Sequence, residues 1–228
     1  MPLRERYRAV LDEVAAVARS AGRDPAEITT VVVTKFHPAS LVAELAALGH
    51  RDFGESRQQE AGPKAAALRD LGLRWHFIGQ LQSNKARAVR GYASAVHSLD
   101  RDSLLAALAD PAAAPLDAFI QVNLTDDPRR GGLPPDALGG FAERVLAAPG
   151  IRLAGLMAVA PIGAEPRAAF ARVRELRDRV VAPIAPEAIG LSMGMSGDFA
   201  DAIREGATHL RIGTAITGMR PDPAYART

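Results

Sequence analysis

The chain of 228 residues contains no cysteine. Disulfides, thiolate metal sites and cysteine nucleophiles are therefore excluded. An excess of either charge is also missing: 28 Lys and Arg against 26 Asp and Glu leave a formal net charge of +2. Without a dense Lys/Arg run interleaved with aromatics, nothing points to nucleic acid. No apolar stretch is long enough to span a bilayer. The first residues, Met1-Pro2-Leu3-Arg4-Glu5-Arg6, lack a signal-type apolar core. The five histidines are scattered and show no H-E-x-x-H spacing, so no metal site is expected. What is present is ordinary for a globular protein: 48% hydrophobic and 24% charged residues. A cytoplasmic protein that binds neither nucleic acid nor membrane is the expectation.

The chain reads as a helix followed by strands alternating with helices. Tyr7, Val10, Leu11, Val14, Val17 and Ala18 recur at helical spacing and predict a helix over Leu3–Ser20, with Gly22 as its stop. Strands are expected at Ile28–Lys35, Asp52–Glu55, Trp75–Ile78, Ala95–Ser98, Ala118–Asn123, Leu153–Val159, Ala188–Met193 and Thr208–Thr214. Helices are expected to begin near Pro38, Arg57, Ser83, Arg101, Pro134, Glu165 and Gly197. Eight strands alternating with helices imply a parallel sheet with right-handed crossovers, and eight is the number that closes a (β/α) barrel. A doubly wound open sheet is the alternative. It usually carries a glycine-rich first turn, and Thr34-Lys35-Phe36-His37-Pro38 is unlike G-x-G-x-x-G. No linker divides the chain, so residues 1–228 are expected to form one domain.

In such a barrel, chemistry sits at the C-terminal ends of strands. The first strand, Val31-Val32-Val33, ends in Thr34-Lys35. A lysine there either emerges into solvent or is held in a site, where its amine can form a Schiff base with an aldehyde. The seventh end, Ser192-Met193-Gly194-Met195-Ser196-Gly197, opens a helix. Ser196 suits an N-cap and Asp198 the first turn, which explains the segment structurally. Yet Gly194 and Gly197 allow close backbone approach, and a phosphate suits the loops after strands seven and eight, where Gly213-Thr214 adds N–H groups and a hydroxyl. Arg211, flanked by apolar strand residues, must find an ion-pair partner or donate to a ligand. His76 either points into the barrel or is an ordinary core histidine.

Taken together, Val33-Thr34-Lys35, Phe53-Gly54-Glu55, Trp75-His76-Phe77-Ile78-Gly79, Leu81-Gln82-Ser83-Asn84-Lys85, Gln121-Val122-Asn123, Gly155-Leu156-Met157-Ala158, Leu191–Ser196 and Arg211-Ile212-Gly213-Thr214 span nearly the whole chain. In this set the chain resembles the pyridoxal phosphate homeostasis protein family. The resemblance implies a single (β/α)8 TIM barrel with an extra N-terminal helix, like the N-terminal domain of alanine racemase, of the fold-type III class that binds pyridoxal 5′-phosphate (PLP). It implies PLP held by Lys35 as an aldimine, Arg211 at the pyridine nitrogen, and Ser196, Gly213 and Thr214 on the phosphate. His76 and Met193 complete the expected cofactor-binding set. One position departs from the family: Ser56 stands where asparagine usually follows Phe-Gly-Glu, so it is not counted among the ligands.

The resemblance implies a PLP-binding protein of vitamin B6 homeostasis that holds its cofactor reversibly, with apo PLP-dependent enzymes as partners. A small PLP-dependent amino-acid racemase is the alternative. A purely structural adaptor is a third class, and it predicts colourless protein. Racemisation needs proton transfer on both faces of the substrate Cα. In alanine racemase-like enzymes the opposing tyrosine comes from a second domain. This chain ends at Thr228, soon after the eighth strand, and its tyrosines, Tyr7, Tyr92 and Tyr225, lie at no expected strand end. The carrier reading, with no catalytic residue and a monomeric state, is therefore the expectation.

Overall fold

The computed structural model describes residues 1–219. Eight parallel strands close in sequence order, β1 pairing with β8. They are β1 (Thr29–Val33), β2 (Asp52–Glu55), β3 (Arg74–Phe77), β4 (Ala93–Leu99), β5 (Leu116–Gln121), β6 (Ile151–Met157), β7 (Gly190–Ser192) and β8 (His209–Ile212). The expected barrel is the one observed. Helix α1 (Leu3–Ser20) precedes it. Between the strands lie α2 (Ala39–Ala47), α3 (Gln58–Ala67), α4 (Ala86–Arg90), α5 (Asp102–Leu108), α6 (Leu138–Ala147), α7 (Pro166–Leu176) and α8 (Phe199–Arg204). A short α9 (Thr214–Thr217) follows β8.

Strand alternation sorts the side chains into two populations. Val32, Phe53, Trp75, Phe77, Val96, Ala118, Ile120, Leu191, Leu210 and Ile212 join the apolar layer shared with the helices. That layer contains most of the core, including the fully buried Phe53, Phe141 and Phe170. Each such side chain contributes about 2–3 kcal/mol of burial. A small separate cluster of Ala95, Phe119 and Met157 fills the barrel interior. The rest of the interior is unusually polar: His76, His97, Ser192 and Arg211 are all buried on the inward parity. Barrel cores ordinarily hold bulky aliphatic residues in those layers.

Helix α1 seals the outside of the last βα units. Its buried face is Tyr7, Val10, Val14 and Ala18. Arg6 Nε donates to the Ile216 carbonyl at 2.8 Å, tying α1 to α9. Close strand contact also dictates a residue: at Gly155 (φ +149°) a Cβ would lie 1.9 Å from the Gly190 carbonyl oxygen, so only glycine lets β6 and β7 pair there.

Candidate functional site

Lys35 is exposed two residues beyond the end of β1. The turn that carries it is clamped from below. Thr34 Oγ1 donates to Glu55 Oε1 at 2.8 Å, and the buried Lys64 Nζ donates to both Glu55 Oε1 (2.6 Å) and the Thr34 carbonyl (2.9 Å). On the other side the Phe36 N–H donates to Glu60 Oε2 at 2.8 Å. Phe36 itself adopts φ +69°, the single non-glycine residue with positive φ among the described residues. Strain of this kind persists only where surrounding contacts enforce it, and it concentrates at functional sites.

The end of β8 meets the end of β1. A Cβ on Gly213 would sit 3.5 Å from Val33 Cβ, so Lys35, Gly213 and Thr214 share the C-terminal mouth of the barrel. The β7–α8 loop joins them there, because the Ala215 N–H reaches Ser196 Oγ at 3.5 Å. The capping differs from the sequence expectation. Asp198, not Ser196, occupies the N-cap position of α8, and its carboxylate turns back to accept the Met195 N–H at 2.6 Å. This leaves Ser196 free to face α9. The N–H groups of Ser196 and Gly197 find no acceptor among the described residues. Gly194 sets the loop's path: it lies at φ +91°, and a Cβ there would fall 2.6 Å from Ala202 Cβ.

Arg211 points inward from β8 and is 5% exposed. Its NH1 donates to Ser192 Oγ at 2.7 Å and its NH2 to the Ala158 carbonyl at 2.9 Å. No carboxylate pairs with it among the described residues; Asp198 acts on it only at longer range. Burial pulls its pKa down to about 10, so the guanidinium keeps its charge at neutral pH. A buried cation with neutral partners alone is costly unless a further acceptor completes its surroundings.

Two expected members stand elsewhere. Met193 is fully buried in the apolar layer with Phe199, Ala202 and Ile203 of α8. Strand alternation sends Ser192 inward and Met193 outward, so its side chain does not line the mouth. His76 does point into the barrel, but toward the opposite end. Its Nε2 lies 3.1 Å from Asp52 Oδ1 and its Nδ1 3.0 Å from His97 Nε2. With Asp52, Arg74 and His209 it lines a cavity of about 390 Å³ at the strands' N-terminal ends. Ser56 packs against the end of β3, where a Cβ on Gly79 would come within 2.3 Å of its carbonyl oxygen. Sequence reading assigned no role to Asp52, His97, Ser192 or His209. A polar residue at inward parity within an otherwise apolar strand is the signal that marks them.

A closed parallel barrel with a lysine after β1, an arginine within β8 and small polar loops after β7 and β8 defines the class of the alanine racemase N-terminal domain. The family model of that description matches residues 7–221. The pyridoxal phosphate homeostasis protein of Pseudomonas aeruginosa is 43% identical over 222 residues, 95% of each chain. That of Escherichia coli K12 is 39% identical over 223 residues, covering 92% of this chain and 94% of its own. This chain belongs to the pyridoxal phosphate homeostasis protein family. The solved structure of PipY from Synechococcus elongatus PCC7942, described with PLP bound, superposes with a TM-score of 0.80 at 36% identity, over 91% of this chain and all of that one. Alanine racemase from Corynebacterium glutamicum shares the fold at a TM-score of 0.65 and 19% identity, over 92% of this chain and 61% of its own. Among the described residues no helix is long and apolar enough to cross a membrane.

Proposed function

We propose that this chain is a carrier that holds pyridoxal 5′-phosphate reversibly at the C-terminal mouth and serves intracellular PLP homeostasis. The observation that carries the reading is Arg211, a buried cation without a carboxylate partner among the described residues, at the same end as an exposed lysine and unpaired loop N–H groups. The donor set fits the cofactor. PLP brings an aldehyde, a phosphate dianion and a ring nitrogen acceptor; the mouth offers an amine, N–H groups with the Ser196 and Thr214 hydroxyls, and a guanidinium.

Lys35 would supply the amine for a Schiff base with the cofactor's aldehyde. The chain has three lysines. Lys64 is buried against Glu55; Lys85 ends the β3–α4 turn, whereas Lys35 is exposed two residues beyond β1, beside the Gly213–Thr214 turn, and is the amine this reading selects. The loop 194–197 and the start of α9 receive the phosphate. Arg211 donates and cannot accept, so it leaves a ring nitrogen unprotonated. When bound, PLP supplies an electron sink, and an unprotonated ring is a weak one.

No catalysis is assigned. Tyr7 lies on α1, 3.2 Å from His50 Nδ1, and Tyr92 lies before β4 with its hydroxyl buried; neither is at the mouth. Tyr225 lies outside the described residues. Whether apo enzymes receive the cofactor by contact is part of the same proposal, as is a monomeric, cytoplasmic carrier. The test is a PLP titration of wild type and Lys35→Ala, read by absorbance, followed by incubation of the loaded protein with single-enantiomer amino acids. Wild type should develop a Schiff-base band that the variant lacks, and the enantiomers should persist. A colourless wild type, or appreciable racemisation, would overturn the carrier reading.

A further inference from the structure

The polar interior of the barrel forms a continuous chain from one end to the other. Asp52 Oδ1 lies 3.1 Å from His76 Nε2, His76 Nδ1 lies 3.0 Å from His97 Nε2, His97 Nδ1 lies 2.7 Å from Ser192 Oγ, and Ser192 Oγ accepts from Arg211 NH1 at 2.7 Å. Five strands contribute one member each: β2, β3, β4, β7 and β8. Phe119 stacks on His97 with ring centroids 4.4 Å apart and holds its plane. His209 packs edge-on to both, 4.9 Å from Phe119 and 5.9 Å from His97.

The chemistry of the two ends fixes the direction of every bond between them. Arginine has only donors, so Ser192 Oγ must accept from Arg211. The Asp52 carboxylate, which also takes hydrogen bonds from Arg74, has only acceptors, so His76 must carry its proton on Nε2. With Ser192 Oγ accepting from Arg211, the Ser192 proton goes to His97 Nδ1, so His97 carries its own proton on Nε2 and donates it to His76 Nδ1. His97 is fully enclosed, and burial holds it in the neutral form. Its Nδ1 is therefore bare, and it takes the Ser192 hydroxyl proton. The reverse order would leave the Ser192 proton without an acceptor inside the barrel, which is costly.

We propose that Asp52, His76, His97 and Ser192 are positioning residues for Arg211: a one-way hydrogen-bonded column, anchored on a carboxylate at the far end, commits the Ser192 proton to His97, turns the Ser192 lone pairs to Arg211 and so fixes one edge of the guanidinium. Arg211 uses two of its five N–H donors on Ser192 and Ala158, leaving three for a ligand in the mouth. Binding at one end of the barrel thus depends on a carboxylate at the other end that touches no ligand. This inference rests on the PLP reading above.

The experiment has two parts. The first needs no ligand: two-bond 1H–15N correlation on 15N-histidine protein at pH 7 identifies each tautomer. Protons on Nε2 of both His76 and His97 are expected; a proton on His97 Nδ1 overturns the column. The second compares PLP affinity and the ratio of the bound cofactor's absorption bands in wild type, Asp52→Asn, His97→Phe, Ser192→Ala and Ser192→Thr. Loss of one charge-assisted hydrogen bond should weaken binding about tenfold in the first three variants and shift the band ratio. Ser192→Thr keeps the hydroxyl and should recover most of what Ser192→Ala loses. Wild type that fails to bind PLP refutes the functional proposal. Wild type that binds, beside folded variants with unchanged affinity and spectrum, refutes the column alone. Variants that fail to fold leave the tautomer measurement to decide.

Discussion

Replacing Lys64 with methionine should expose how strongly the lysine-bearing turn depends on a charge beneath it. Lys64 and Glu55 form an ion pair at 2.6 Å, with side chains 9% and 1% exposed. Glu55 Oε2 has no hydrogen-bond partner even in wild type. Burial already raises the Glu55 pKa, while Lys64 and then Thr34 pull it back. Methionine conserves length and removes the charge, so Glu55 must either stay ionised without a cation or take up a proton. Protonating a carboxyl of ordinary pKa 4.5 at pH 7 costs about 3.4 kcal/mol, at 1.36 kcal/mol per unit, which caps the electrostatic part. The two hydrogen bonds from Nζ, to Glu55 and to the Thr34 carbonyl, add about 1 kcal/mol each, offset by methionine's better burial. The net deficit at pH 7 should be about 3–4 kcal/mol, within the range for breaking a buried pair. Its pH dependence is distinctive. A carboxyl raised further in the variant's folded state stabilises that state relative to wild type as pH falls, so the deficit should shrink by about 2 kcal/mol between pH 7 and pH 5. Urea denaturation of both proteins at pH 5, 6 and 7 reads this directly. A deficit under about 1 kcal/mol at pH 7, or one that does not change with pH, would refute the reasoning.

Gly194→Ala places a methyl 2.6 Å from Ala202 Cβ at φ +91°. It should cost about 2–4 kcal/mol in denaturant and weaken PLP binding by displacing Ser196; an unchanged denaturation midpoint contradicts the close packing. His209 is held down to about 4 by burial. The unfolded chain takes this proton from pH 6.5 downward while the native state refuses it, so stability falls through that window by about 2–3 kcal/mol at pH 4.5. His209→Gln removes this term. Its stability should fall less than that of wild type between pH 7 and 4.5, and parallel profiles would show that His209 titrates normally.

Periodicity carried most of the architecture. Helix α1 and strand β2 have the bounds the pattern predicts, because amphipathic spacing and the Gly22 and Gly54 contexts are local. The end of the eighth strand is shorter than expected: the pattern ran to Thr214, but Gly213 at φ −109°, ψ −93° breaks the strand at Ile212 and starts α9. That break is what presents Gly213 and Thr214 at the mouth. Strand-end reasoning put Lys35, Ser196, Gly213 and Thr214 at one end of the barrel, where the structure also has them, since the C-terminal end of a strand can be read from sequence. It did not foresee that the Met193 side chain packs in the apolar layer or that His76 lies beside Asp52, since depth and parity inside a barrel follow from closure and register. The bulges in β4 and β6 reset that parity and are invisible to a period of two. His97 and His209 join His76 only because β3, β4 and β8 curve around one axis, a relation between distant segments.

The central claim is that one amine at the barrel mouth captures the cofactor aldehyde. Its most direct test is borohydride reduction of PLP-loaded wild type, followed by peptide mass mapping. All of the phosphopyridoxyl label should fall on the peptide containing Lys35. Label on Lys64, Lys85 or the N-terminal amine in place of Lys35, or no label at saturating PLP, would contradict the account.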